Sequence, residues 1–450
     1  MSVVRARRLP VASVEPAQAT ERLRDPWVLA AGGLVLGYLM MTRSFAYLGL
    51  PRYSLFVGEV FLIGFYLVKA RESLGAFAWS LVDRTDLSFV SWSIYALSAY
   101  GLITALRGYF QNYEAVAVVE TLVFVVYPFY FFVGLWIGRV APSFLERFVP
   151  ILAWAGGLYG LAYVLGLSQV SYSFPGTDDI PLFGQPAAPV VAIVAILCLY
   201  RRLSTWMMAA LALNGLVVLA LQVRAQWLGL LVSLLVWAIL THRLGRFLMA
   251  AMIFTLLLAV AYVGDITIPS PTPNQAEFSA RTVIGAVVAP IDEELAATYT
   301  DSAHQFAGSA RWRQVWWEGI WEDVNSDTRT QLFGHGYGFP LKTLAPFTTG
   351  EEDLRTPHNF FFFVLAYSGW IGVVLTGVLF ISVLSMLWLA FKRTQQAFGL
   401  AFFVLQFGIA AFSNHFETPF GAIPFYTILG VAAAPALHAL RPTAAGVAAS

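Results

Sequence analysis

The sequence predicts an all-α polytopic integral membrane protein. Three observations carry that prediction: an apolar composition, apolar blocks that recur at bilayer-crossing length, and a lopsided placement of Lys and Arg between the blocks. Hydrophobic residues make up 58% of the 450, aromatics 15% and charged residues only 12%, with a mean hydropathy of +0.70. That balance lies outside the range of soluble domains. The blocks run for roughly 17 to 25 residues, enough at about 1.5 Å per residue to cross about 30 Å of hydrocarbon.

Taken in order, spans are predicted near 27–42, 53–69, 88–106, 115–138, 148–167, 187–200, 203–220, 225–241, 247–264, 359–391, 397–413 and 420–438, about twelve in all. Cytoplasmic flanks retain positive charge, and this sets their orientation. With the N-terminus inside, seventeen Lys and Arg fall on inner segments, among them Arg5, Arg7, Arg8, Lys69, Arg139, Arg147, Arg201, Arg202, Lys392 and Arg393. The short outer loops hold only Arg43, Arg52, Arg107 and Arg224. The reading is a cytoplasmic tail over 1–26, nine transmembrane helices over 27–264, a large external loop over 265–357, three more helices over 358–438, and a second cytoplasmic tail over 439–450. Both termini are then cytoplasmic. The six cations of the long loop do not vote, because long loops escape the charge rule.

Several function classes fall away. The N-terminal stretch is basic but lacks the apolar run and cleavage site of a secretory signal, and its basic residues suit contact with anionic membrane lipids. A formal charge of +1 without a basic-aromatic module gives no case for nucleic acid. The single Cys198 lies in a predicted span, which leaves no intramolecular disulfide and no thiolate metal site. No His or carboxylate pair has metal-ligand spacing, and no internal repeat is found. The acidic run Asp292-Glu293-Glu294 reads as solvated surface.

The long loop holds a turn-rich run at 268–274 and then Ser309 to Val324, which reads as an amphipathic helix. Trp312, Val315, Trp316, Trp317, Ile320 and Trp321 form its aromatic face, with Arg311, Arg313, Glu318 and Glu322 supplying charge. Such a helix suits a membrane interface, where Trp is favoured; packing the loop onto the bundle is the other reading. After it, Gly334, Gly336 and Gly338 punctuate a turn. Spaced glycines let backbone amides approach a phosphate, but no strand precedes them and no helix directly follows, so this is not a nucleotide-binding fingerprint.

Three polar features at the outer face are candidate site residues. Arg224 interrupts two spans, where it either snorkels to the interface or holds an anionic group at the lip of a cavity. Arg311 and Arg313 beside the Trp cluster suit a diphosphate on a lipid chain, or are merely solvated charge. His358, followed by Asn359 at the start of a span, is either a helix-start residue or a general base that activates a hydroxyl. His304, His335 and His415 are also external, in contexts that say less.

These residues resemble a known family. His358-Asn359, a nine-residue gap, then Gly369-x-x-Gly372 is similar to the pattern of bacterial O-antigen ligases. Arg224 between two spans, Trp312-Arg313-x-x-x-Trp317, and Gly334-x-Gly336-x-Gly338 upstream of the histidine resemble the wider O-antigen ligase and polymerase superfamily. The likeness covers about Arg224 to Gly372 by motif. It implies a GT-C-like glycosyltransferase at the outer face of the bacterial inner membrane, without metal or cofactor. The implied donor is a glycan on undecaprenyl diphosphate, and the acceptor is a hydroxyl of lipid A core or another lipid or glycan. By position, Arg224 and Arg313, or Arg311, would hold the leaving diphosphate. His358 would deprotonate the acceptor with inversion at the anomeric carbon, and Asn359 would orient it or cap its helix. Gly334, Gly336, Gly338, Gly369 and Gly372 would play supporting parts.

Ligase is preferred to O-antigen or exopolysaccharide polymerase on the match from His358 to Gly372. Readings of other classes are a membrane transporter, for which Glu59 and Glu120 would be the intramembrane acids, and an assembly partner docking through the Trp helix.

Overall fold

The computed structural model describes residues 23–46, 48–50, 55–69, 86–172, 180–268, 277–345 and 356–437. The predicted tails therefore lie almost entirely outside the described residues, as do the run at 269–274 and Arg355. Within them the apolar blocks are helical, the form in which a lipid-embedded backbone satisfies its own hydrogen bonds. In chain order the helices are α1 Pro26–Ala46, α2 Val57–Val68, α3 Asp86–Phe110, α4 Ala115–Leu122, α5 Tyr130–Val140, α6 Phe144–Leu165, α7 Ala188–Leu199, α8 Thr205–Leu221, α9 Arg224–Leu240 and α10 Leu244–Val263. Then come α11 Ala280–Val288, α12 Glu293–Ala297, α13 Ala303–Val324, α14 Thr328–Phe333, α15 Phe360–Thr394, α16 Phe398–Ala410 and α17 Pro419–Ala433. Seven helical segments are long and apolar enough to cross a membrane, and α2, α7, α8, α9 and α16 are apolar but shorter. The only β-structure among the described residues is three antiparallel pairs of two-residue strands.

Two spans differ from the sequence reading. The block at 115–138 is not one helix: two 3-10 turns, Val123–Val125 and Tyr127–Phe129, separate α4 from α5. Pro128 sits in the second turn and cannot donate to a helical ladder. The block at 359–391 extends to Thr394 and is interrupted at Gly369, whose φ 61°, ψ −167° leaves the helical region.

The bundle is held by close backbone approach and scattered polar contacts. Gly134 of α5 and Gly430 of α17 let those helices touch, since a Cβ on either would strike backbone of the other. Buried Ser93 of α3 meets Ser382 of α15 at 2.8 Å, and Asn214 of α8 donates to Ala153 O of α6 at 2.8 Å. Glu59, a suspect for ion transport, is a buried knot instead: its carboxylate accepts from Tyr127 OH at 3.2 Å and from the Phe56 amide at 3.1 Å. By contrast α10 buries none of its twenty residues, as befits a helix whose apolar side chains face lipid.

The described residues of the 265–357 segment fold back on the bundle. Helix α13 begins at Ala303, between one and two turns before the predicted start at Ser309, and its aromatic face packs inward. Trp316 is buried with its Nε1 donating to Leu341 O at 3.1 Å, and Trp317 stacks on Phe362 of α15 with ring centroids 5.5 Å apart. The helix therefore presses the segment onto the start of α15.

Candidate active site

Arg224 is the first residue of α9. Gln222 closes α8 in the left-handed conformation and Val223 is extended, so the polar interruption becomes a sharp corner that turns Arg224 toward α13. Its Nη2 donates to Ser309 Oγ at 2.5 Å, its Nη1 to Ala286 O at 3.3 Å, and the guanidinium lies over Phe306 at 5.4 Å. Ser309 lies one turn before Arg313 on α13, so both face the same way. Arg313 Nη1 donates to Ser309 O at 2.9 Å, and its guanidinium lies 4.9 Å from the Trp312 ring centroid. Two arginines distant in sequence thus converge on one serine. Burial, and then the neighbouring charge of Arg224, pull the Arg313 pKa below its usual value, and its Nε is buried with no partner. Arg311 is exposed on α13 and takes no part in this convergence.

His358 sits beside the pair. Its backbone is left-handed at φ 52°, uncommon for a residue other than glycine and a form of strain that concentrates at functional sites. The strain is held from both sides. Trp317 Nε1 donates to Pro357 O at 2.7 Å, and Asn359 caps α15, its Oδ1 accepting from the Phe361 amide at 2.9 Å and the Phe362 amide at 3.3 Å. The Asn359 Nδ2 donates to Ala411 O at 2.9 Å. Trp312 meets the imidazole edge to face at 5.4 Å. Burial, and then the Arg313 charge, push the His358 pKa down to about 4. The ring is therefore neutral at physiological pH and free to accept a proton.

The glycine turn does a different job from the one its composition offers. Gly334, Gly336 and Gly338 all have positive φ, but the amides of His335 and Gly336 are already spent on α15. They donate to Ala366 O at 2.9 Å and Tyr367 O at 3.0 Å, carbonyls just before the break at Gly369. A Cβ on Gly334 would strike the backbone of Ser368 and Gly369, and one on Gly369 would strike Leu332. The two glycines interlock. Arg107 of α3 clamps the turn, its Nη2 donating to Phe333 O at 2.6 Å and Gly334 O at 2.7 Å. Farther along α15, a Cβ on Gly372 would collide with the Ser368 side chain. Gly334, Gly336, Gly369 and Gly372 thus help to seat α15, while Gly338 lies against Val118 and Tyr113.

The three histidines that the sequence left in less informative contexts are engaged. His304 Nδ1 lies 2.7 Å from Glu293 Oε1, within the exposed acidic run. His335 is bonded to Asp323 and stacks on Phe339 with ring centroids 4.0 Å apart. His415 is buried and bonded to Gln406. Among the described residues no three His, Cys, Asp or Glu side chains gather as a metal-ligand set. Sequence reasoning missed Ser309, whose only signal was its place four residues before Arg313, and Arg107, which the sequence showed merely as an outer-loop cation.

No curated protein matches the chain at a significant level. Residues 207–377, the stretch that carries Arg224, Ser309, Arg313, His358 and the interlocked glycines, match the family model described as O-antigen ligase. Over this stretch the chain is similar to the membrane O-antigen ligases.

Proposed function

We propose that this O-antigen ligase-type membrane glycosyltransferase moves a glycan from undecaprenyl diphosphate to an acceptor hydroxyl at the outer face of the inner membrane, as a ligase rather than a polymerase. The observation that carries the reading is the convergence of Arg224 and Arg313 on Ser309 with a neutral, unprotonated His358 alongside. Two guanidinium groups held together without a carboxylate among their described contacts form a site for a multiply charged anion. His358 takes the proton of the acceptor hydroxyl, whose oxygen forms a bond to the anomeric carbon. The bond from that carbon to the diphosphate oxygen breaks, and the diphosphate leaves with the electron pair. Attack opposite the leaving group inverts the anomeric centre. Preorganised donors at the departing oxygens supply the stabilisation this step needs. The Lys and Arg distribution supports cytoplasmic termini and an external 265–357 segment, in keeping with a donor presented at the outer face.

Deleting the gene in its host and comparing lipid-linked intermediates by gel and mass spectrometry tests this. Long glycan accumulating on undecaprenyl diphosphate, relieved by the wild-type gene and not by His358→Ala, is the expected result. Accumulation of single repeat units would make the enzyme a polymerase. Full rescue by a well-expressed His358→Ala protein would remove the proposed base.

A further inference from the structure

We propose that Glu417 is a positioning residue for His358, acting through the turn between α16 and α17; the inference rests on the functional reading above. That turn is built from polar side chains in apolar surroundings. Glu417 and His415 are 8% and 6% exposed. Glu417 Oε2 accepts from the His415 amide at 3.0 Å, the His415 ring is bonded to Gln406 of α16, and His415 O accepts from Thr418 Oγ1 at 2.8 Å. The turn is thus tied to itself and to α16, with Glu417 as the innermost knot.

Its other face holds the segment that carries His358. Thr356 Oγ1 is bonded to Asn414 Oδ1, Asn359 Nδ2 reaches Ala411 O, and Phe416 meets the Phe360 ring at 5.2 Å. Residues on both sides of His358 are therefore anchored on 411–416. The strained His358 backbone needs this bracing, since a left-handed non-glycine residue persists only where its surroundings fix it.

A stability role alone explains Glu417 poorly. Its Oε1 and the Gln406 Nε2 are buried without partners, a costly arrangement that an apolar turn would avoid. A group held at that cost, next in sequence to the Phe416 that meets Phe360, fits a demand for geometry. Misplacement of a reacting group by about 1 Å is enough to cost about a hundredfold in rate.

The test uses the full-length protein in detergent or nanodiscs with a lipid-diphosphate glycan donor, and compares Glu417→Ala, Glu417→Gln and Asn414→Ala. Asn414 is half-buried and its truncation threatens folding least. Glu417→Ala is expected to lower kcat about tenfold to a hundredfold and Asn414→Ala about tenfold, with donor and acceptor KM within about twofold. Glu417→Gln, which keeps an acceptor for the His415 amide, should recover most of the rate. The double Glu417→Ala, Asn414→Ala variant should be no slower than Glu417→Ala, because both act along one path. Hydrogen exchange over residues 356–362 reads the bracing without reference to activity and should quicken in Glu417→Ala. Wild-type kcat in both single alanine variants, or losses confined to KM, would overturn the inference. A wild-type protein that transfers nothing, while exchange still quickens in Glu417→Ala, would sink the functional reading and take this one with it.

Discussion

Replacing Arg313 and its neighbour Arg311 in parallel separates a built site from incidental charge. Arg313 Nη1 bonds to Ser309 O while its Nε is buried without a partner, so the guanidinium holds donor capacity that nothing described uses. Removing one preorganised donor from a developing anion costs about 2.7–4 kcal/mol, or about 10²–10³ in rate. Arg313→Ala is expected to lose that much in kcat/KM. Arg313→Lys keeps the charge but loses the planar fork, and should lose at least about tenfold for one charge-assisted hydrogen bond of about 1.5–3 kcal/mol. Arg311→Ala removes an exposed side chain and should stay within about twofold, the effect of a typical surface change of about 0.5 kcal/mol. Stability should move the other way. Arg313 is buried against the like charge of Arg224, so Arg313→Met should leave the ligand-free Tm at or above wild type and abolish the stabilisation conferred by a lipid diphosphate. Transfer assays with a synthetic donor and thermal unfolding with and without it supply both readouts. A loss larger in Arg311→Ala than in Arg313→Ala, or an Arg313→Met protein still stabilised by the diphosphate, would refute the argument.

Two further outcomes follow from the same geometry. His358 titrates near pH 4 in the folded protein against an ordinary 6.5, so the unfolded state binds more protons between those values and stability is lost as pH falls from about 6.5 to 4. Burial raises the Glu417 carboxyl to about 7 from an ordinary 4.5, so its share of stability is lost instead as pH rises from about 4.5 to 7. Tm measured against pH should accordingly flatten on the acid side in His358→Gln and on the neutral side in Glu417→Gln; an unchanged profile in either would refute that assignment. Gly369→Ala would place a Cβ against the Leu332 carbonyl in a backbone region that glycine alone visits freely. It should cost at least about 1–3 kcal/mol, seen as a lower Tm and faster proteolysis near residue 334, and a wild-type Tm would show that the break in α15 is not needed.

The helices were legible because lipid demands long apolar runs, and such runs are visible in any window of the sequence. Their interruptions were less so. Pro128 advertises one, but the break at Gly369 depends on a glycine turn more than thirty residues upstream that no local pattern ties to it. The arginine pair and His358 were found one at a time, and Ser309, which joins two of them, was not found at all, since contacts such as the one between Arg224 and Ser309 span 85 residues. His415 was noticed and set aside because its partners, Gln406 and the Glu417 turn, gain meaning only when α16 and α17 are packed side by side. The glycine turn was read as a turn of spaced glycines, but its partner was not legible: the His335 and Gly336 amides bind carbonyls of α15.

The break in α15 also fixes a length. Between the cap at Asn359 and the notch at Gly369 the chain is a rigid rod of nine helical residues, about 14 Å long at 1.5 Å per residue. One end is keyed into the glycine turn and the other presents the imidazole to Trp312. Because a helix turns about 100° per residue, adding or removing one residue would swing the histidine out of phase with the arginines while leaving every side chain intact. The interval is therefore a gauge. It transmits the height of the notch within the bundle to the plane in which His358 meets Trp312, so the join between α15 and the glycine turn sets where the imidazole stands.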